Sequence, residues 1–324
     1  MSSTQSDTEK WASRHVPKDG VKRVKPDLPP RPDWLKVMTP NHGVVQEVEK
    51  IVVDNKLNTV CHSASCPNRG ECWSRGTATL MILGNICTRA CGFCGVKTGR
   101  PTEYDLAEPE RVAQAVALMN LEYVVVTSVD RDDLKDGGSK VWADSISAIR
   151  ERCPSAGIEV LIPDFSGEKE NQMRVFDARP HVLAHNLETV KRLTSLVRPQ
   201  ARYQRSLDVL NRAKEAGLIA KSGLMLGLGE TEEEVSEALK DLRDTGCDIL
   251  TIGQYMQPTP NHLAIHRWVH PDEFERHKEK ALELGFAKCD SGPLVRSSYR
   301  AEEVLQPGSP LAEKISQAIS SKIN

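Results

Sequence analysis

Residues 77–96, TATLMILGNICTRACGFCGV, decide the fold and the chemistry together. The stretch opens on a short, nearly continuous apolar run, the pattern of a strand buried on both faces. Cys87, Cys91 and Cys94 follow in C-x3-C-x2-C spacing. A strand that feeds a cysteine loop puts the thiols at its C-terminal end, where α/β barrels keep their chemistry. Such a loop can wrap three thiolates round three irons of a cubane and leave the fourth iron open. Gly92 and Gly95 let the backbone come close to a cluster. Phe93 can offer a ring face to a planar ligand.

A second set lies just upstream. Cys61, Cys66 and Cys72 read C-x4-C-x5-C, so six of the nine cysteines fall within residues 61–94. Structural zinc sites close with four ligands. Two sets of three instead suggest two iron–sulfur clusters, each needing a ligand from elsewhere. A zinc knuckle, with a further cysteine or His62 as fourth ligand, is the plain alternative.

The rest of the chain bounds the setting. Its 324 residues, 39% of them apolar, suffice for a large core, and the net charge of −2 offers no field for nucleic acid or an anionic membrane. No apolar run approaches a spanning helix. The start, MSSTQSDTEKWASRH, lacks an apolar signal core and carries Asp7 and Glu9, so a cytoplasmic location is expected. In that reducing setting clustered cysteines hold metal rather than disulfides. Residues 1–33 are polar and end in Pro26, Pro29, Pro30 and Pro32, a composition for a flexible arm. Trp34, Leu35 and Val37 are the first residues able to dock, and 44–53 reads as a helix leading to the first cysteines.

From residue 77 apolar runs alternate with amphipathic stretches. Strands are expected over 77–83, 123–128, 158–162, 182–184, 222–226 and 249–253. The helix over 108–120 has Val112, Val116 and Met119 on one face. Thr231 and Glu234 form a capping box before Val235, Ala238, Leu239 and Leu242, with Gly246 as the stop. Leu207, Leu210 and Ala213 stripe a helix that ends at Gly217. The expected fold is α/β, a partial (β/α)6 barrel over 77–285, with an N-terminal extension over 34–76 and a C-terminal extension over 286–324. Alternation alone also allows a doubly wound sheet.

The cysteine loop, with an aromatic before its last cysteine, resembles the signature of the radical S-adenosylmethionine superfamily. The resemblance implies that the open iron chelates S-adenosylmethionine, whose reductive cleavage gives methionine and a 5′-deoxyadenosyl radical. The run CHSASCPNRGECW is similar to the lipoyl synthase family, as are RPDWLKV, TSVDRDDLKDGG, VLIPDFSG, HNLETV, VRPQARYQRSL, KSGLMLGLGET and TIGQYMQPT. By that resemblance Cys61, Cys66 and Cys72 bind an auxiliary 4Fe–4S cluster. A serine of the Arg296-Ser297-Ser298-Tyr299 stretch closes it, Ser298 first and Ser297 second. Serine is harder and more labile toward iron than thiolate, so it can leave when sulfide must be given up. Cys289 is the competing thiolate, while Cys153 and Cys247 read as ordinary thiols. Without the cysteines, the two serines would read as a solvated turn.

The implied reaction inserts two sulfur atoms into an octanoyl chain on a lysine of a lipoyl carrier domain, with the auxiliary cluster consumed as the donor. Such domains occur in 2-oxoacid dehydrogenase acyltransferases and the glycine-cleavage H protein. A ferredoxin- or flavodoxin-type reductant and iron–sulfur assembly or carrier proteins are implied as partners. Asn186 and Glu188 follow the fourth strand as candidates for the amino, ribose or carboxylate groups of S-adenosylmethionine, and Arg198 is a candidate fork for its carboxylate; the plain alternative is helix caps. Asp130 to Asp133 read as an active-site loop or a solvated turn, and His185 as a satisfied, partly buried histidine. GLMLGLGE lacks phosphate-loop spacing. Rival readings are a biotin-synthase or methylthiotransferase type of enzyme, or a zinc-stabilised binding module.

Overall fold

The computed structural model describes residues 30–36, 42–63, 66, 68–75, 77–102, 104–306 and 308–320. The arm expected over 1–33, apart from its last four residues, and Val37 lie outside them. Leu35 is fully buried, and Trp34 meets the His270 ring edge-on at 5.2 Å. The helix expected over 44–53 forms as α1 (His42–Asp54), ahead of α2 (Arg69–Ser74).

The large sheet holds β1 (Asn58–Thr59), β2 (Thr79–Ile82), β3 (Tyr123–Ser128), β4 (Gly157–Leu161), β5 (Val182–Ala184), β6 (Ile219–Leu226), β7 (Ile249–Gln254) and β8 (Lys288–Gly292). Strand order across the sheet equals order along the chain. From β2 to β8 every pair is parallel, and only β1 runs antiparallel. A doubly wound sheet reverses its strand order at a switch point. A sequential run is barrel order, so the fold is a partial barrel.

The two faces of the sheet carry different loads. On the outer face Val124, Val126, Ile158, Val160 and Leu183 pack on α3 (Glu108–Leu118), α4 (Ser139–Arg152), α5 (Lys169–Asp177) and α6 (Tyr203–Glu215). Leu224, Leu250 and Ile252 pack on α7 (Glu232–Asp244) and α8 (Pro271–Glu283). On the inner face Tyr123, Val125, Val182, Ile219 and Ile249 are covered by Ala301, Val304, Leu311 and Ile315 of the C-terminal segment. That segment plugs the N-terminal end of the barrel. The opposite, C-terminal end stays open for chemistry.

Above this plug Lys221 Nζ meets Glu159 Oε1 at 2.7 Å, with the two side chains 2% and 1% exposed, and the Tyr123 hydroxyl donates to Glu159. Removing one member of such a pair strands a buried charge. Lys221→Ala is therefore expected to cost about 3–5 kcal/mol, read as a lower urea midpoint. Lys221→Met with Glu159→Leu together should cost less than the single change.

Expected elements are present with shifted ends. The Thr231–Glu234 capping box forms, and Gly217 and Gly246 take positive φ after their helices. β6 begins at Ile219 rather than 222, because Lys221 looks like a break in sequence and is neutralised in space. β2 ends at Ile82, since Leu83 turns to φ +67°; α3 stops at Leu118, with Asn120 at φ +49°. The seventh parallel strand, β8 (KCDSG), has only Cys289 fully buried and an ion pair between Lys288 and Asp290. It shows no apolar run, and it carries the sheet on past residue 285. No helix among the described residues is long and apolar enough to cross a membrane.

Candidate functional site

The loop after β2 is tied at both ends. Ile86–Cys87 pairs in parallel with Lys97–Thr98, and Gly99 N donates to the Cys87 carbonyl at 2.9 Å. Between them Arg89, 5% exposed, reaches Asp132 at 2.7 Å, Asp164 at 2.7 Å and Asp130 at 3.2 Å. One buried guanidinium thus fastens the cysteine loop to the ends of β3 and β4. Burial pushes the Asp164 carboxyl up, but the Arg89 charge and hydrogen bond outweigh it and hold it down at about 2. Asp133 pairs with Arg131, which donates to the Leu83 carbonyl. Residues 130–133 are therefore an anchoring loop rather than a solvated turn.

The far side is closed by residues 255–266. Leu263 N donates to the Gly92 carbonyl, Gly92 N donates to that of Val197, and His262 Nε2 lies 2.9 Å from the Cys94 carbonyl. A Cβ at Gly92 would stand 2.9 Å from the Leu263 side chain, so the glycine permits this close cover. Cys87 Sγ accepts from the backbone N–H groups of Asp130 and Arg89. Burial pushes the Cys91 thiol up to about 12 and Cys94 to about 11; it raises Cys87 as well. Metal coordination deprotonates such thiols outright. Loading of this loop should release protons and strengthen as pH rises.

Cys61, Trp73 and Ala78 form a small core against which Cys66 and Cys72 pack. Burial, then the neighbouring Cys66, push the Cys72 thiol up to about 12. Cys72 sits on α2 (Arg69–Ser74), and polar contacts staple this helix and its flanks to the distant C-terminal segment. Asn68 donates to the Leu294 carbonyl, Tyr299 and Arg300 to Glu71, and Arg75 to Glu302 at 2.6 Å. Gly253 on β7 lets that segment cross the barrel mouth, since a Cβ there would lie 2.2 Å from the Val295 carbonyl oxygen. The Thr79 hydroxyl donates to Ser298 Oγ at 2.8 Å.

Both sets open on one cavity of about 520 Å³, lined by Cys61, Cys66, Cys87, Cys91, Cys94 and residues 295–298. Phe93, Asn186, Glu188 and Arg198 line it too, whereas Cys72 stands behind. Cys247 and Cys289 are in the outer core and Cys153 packs at its edge, all three away from the cavity. Among the described residues no three His, Cys, Asp or Glu side chains crowd closely enough to ligate a single metal ion. A cubane spreads its cysteines over separate irons.

The turn after β5 is strained and polar. Glu188 sits at φ +68°, a costly backbone state for a non-glycine, and its carboxylate accepts from Asn186. Arg198 Nη1 donates to the Asn186 and Leu187 carbonyls, so this guanidinium braces the turn. Burial raises the Glu188 carboxyl, partly offset by Arg198. Asn186 Oδ1 and Ser128 Oγ are buried without a partner, and both residues line the cavity. Such orphans call for a polar ligand. The site therefore fits a cluster on the thiol loop with a polar, charged small molecule beside it.

His185 is fully buried, with Nδ1 at 2.9 Å from the Ile162 carbonyl and Nε2 at 3.0 Å from Ser206 Oγ. Burial, then the Arg198 charge, push it down from 6.5 to about 4. Between those values the unfolded chain binds more protons than the folded one. Its contribution is full above about pH 6.5 and is lost as pH falls toward 4, up to about 3 kcal/mol. His185→Gln should flatten urea stability against pH across that window.

Arg89, Thr79, His262 and Gly253 escaped the sequence reading. Only Arg89 left a signal there, as a cation inside a cysteine loop with DRDD downstream.

Fold and site together define a radical S-adenosylmethionine protein, and the Radical SAM superfamily description matches residues 81–242, half of the chain. Two crystal structures of Streptococcus suis SuiB share the fold at 12% identity. The one bound to precursor peptide SuiA has a TM-score of 0.54 over 76% of this chain and 52% of that one. The one bound to S-adenosylmethionine has 0.51 over 67% and 51%. Within the superfamily, the chain belongs to the lipoyl synthase family. It is 53% identical to the lipoyl synthase of Flavobacterium johnsoniae over 87% of this chain and 99% of that protein. It is 54% identical to the mitochondrial lipoyl synthase of Nematostella vectensis, over 87% and 98%. With that of Geobacillus kaustophilus it shares 55%, over 84% and 93%.

Proposed function

We propose that the chain inserts two sulfur atoms into the octanoyl group of an octanoyl-lysyl carrier domain, giving the lipoyl cofactor. One observation carries this reading: the second cysteine set, Cys61 and Cys66 of the first, and a serine segment more than 200 residues from the second set converge on a single cavity. Cys87, Cys91 and Cys94 hold one 4Fe–4S cluster; Cys61, Cys66, Cys72 and Ser298 hold the other. When bound, these groups with S-adenosylmethionine supply a 5′-deoxyadenosyl radical at the first site and sulfide at the second. Asn186 and Glu188 offer acceptors to the amino and ribose groups of S-adenosylmethionine, and Arg198 fixes the turn that presents them. Phe93 offers its ring face. Met81, Leu161 and Met225 give apolar walls that exclude water and suit an alkyl chain.

The carrier is a lipoyl domain of a 2-oxoacid dehydrogenase acyltransferase or the glycine-cleavage H protein. A ferredoxin- or flavodoxin-type protein supplies electrons, and iron–sulfur assembly proteins rebuild the consumed cluster. Cysteines that serve as cluster ligands rather than disulfides suit a reducing compartment such as the cytoplasm. The test supplies S-adenosylmethionine, dithionite and an octanoyl-lysyl peptide to the anaerobically reconstituted chain. A mass gain of two sulfurs is expected. Cleavage of S-adenosylmethionine without sulfur transfer would defeat the proposal that this chain carries out the insertion.

A further inference from the structure

The serine segment is held in two separable ways. The segment as a whole is pinned by Asn68 on the Leu294 carbonyl and by Glu71 and Arg75 on the side chains of Tyr299, Arg300 and Glu302. The Ser298 oxygen is held by something else, the hydroxyl of Thr79 at 2.8 Å. Thr79 opens β2, is 5% exposed, and is registered against Val125 of β3. Its branched side chain on a strand has little rotameric freedom. Ser298 lies in the turn between β8 and the short helix Ala301–Leu305, where no regular element fixes its side chain.

We propose that Thr79 is a positioning residue for the serine ligand: it fixes Ser298 Oγ toward the first cysteine set before loading and remains its hydrogen-bond donor afterwards. This rests on the reading that Ser298 closes the second cluster. A serine bound through its deprotonated oxygen can only accept hydrogen bonds, and Thr79 presents the donor required. Partners one shell out from a metal ligand orient it and tune its hold on the metal. The bond engages Ser298 and so favours it over Ser297 as the ligand.

The test uses the full chain, reconstituted anaerobically, and follows iron release to a chelator. The phase belonging to the second cluster is the one missing from Cys61→Ala. Thr79→Val removes the hydroxyl at nearly constant shape, and is expected to speed that phase about tenfold or more. Thr79→Ser should return the wild-type rate, which a loss of packing would not predict. In a Ser298→Ala background, Thr79→Val should add nothing further. A wild-type rate in Thr79→Val, or failure of Thr79→Ser to rescue, overturns the assignment of Thr79 and leaves Ser298 standing. A wild-type rate in Ser298→Ala overturns the serine ligand, and the inference with it.

Discussion

Cys87→Ala is expected to abolish cleavage of S-adenosylmethionine, with 5′-deoxyadenosine falling below detection while the protein stays folded. Cys87 is both the first thiol of the loop and the hinge of its closure. Its Sγ accepts from Asp130 N and Arg89 N, and its carbonyl accepts from Gly99 N. Only the thiol is lost on substitution; the backbone ties and the Arg89 anchor to Asp132 and Asp164 persist. Two thiols alone do not retain a cubane that takes three from the protein. On the proposed two-cluster reading, iron should therefore drop from about eight to about four per chain, the complement of one remaining cluster. That cluster is untouched because Cys61, Cys66 and Cys72 pack on a separate core with Trp73. Measuring iron, acid-labile sulfide and 5′-deoxyadenosine on one preparation checks all three statements. Persisting cleavage would remove Cys87 from the radical-generating site.

What the sequence made legible was local. An apolar run ending in C-x3-C-x2-C reads directly because strand and loop are neighbours in the chain. The Thr231–Glu234 cap and the helix stops at Gly217 and Gly246 are equally local, and all form. What stayed hidden depends on partners far apart. Lys221 disguises the start of β6 until Glu159, 62 residues away, neutralises it. β8 hides because its inner face carries Lys288 and Asp290, paired with each other, where an apolar residue would have marked it. Gly253 means nothing in sequence, since its purpose is to let Val295 cross above it. The six cysteines stand out in the sequence by their spacing, whereas His262, which braces the loop of Cys87, Cys91 and Cys94, is recognised only by its contact with the Cys94 carbonyl.

Ser298→Ala should separate the two halves of the reaction: S-adenosylmethionine is still cleaved, and sulfur insertion is lost. Ser298 lies on a segment stapled to α2 through Glu71, Arg75 and Glu302, so losing one hydroxyl leaves the segment seated. The cysteine loop after β2 is anchored independently, by Arg89 and by Leu263 over Gly92. Radical formation therefore survives, and 5′-deoxyadenosine accumulates without thiolated peptide. Ser297→Ala, one residue away, lacks the Thr79 contact and should keep product formation. Ser298→Cys supplies the sharper contrast. Thiolate is a softer and tighter partner for iron than a serine oxygen, so this variant should retain full iron while turning over more slowly. Lability of the ligand, not mere occupancy of the fourth position, is then what the serine contributes. If Ser298→Cys instead matched wild-type turnover, that reason for a serine at this position would be wrong. If Ser298→Ala kept wild-type sulfur insertion, the fourth ligand would have to be sought elsewhere in the cavity.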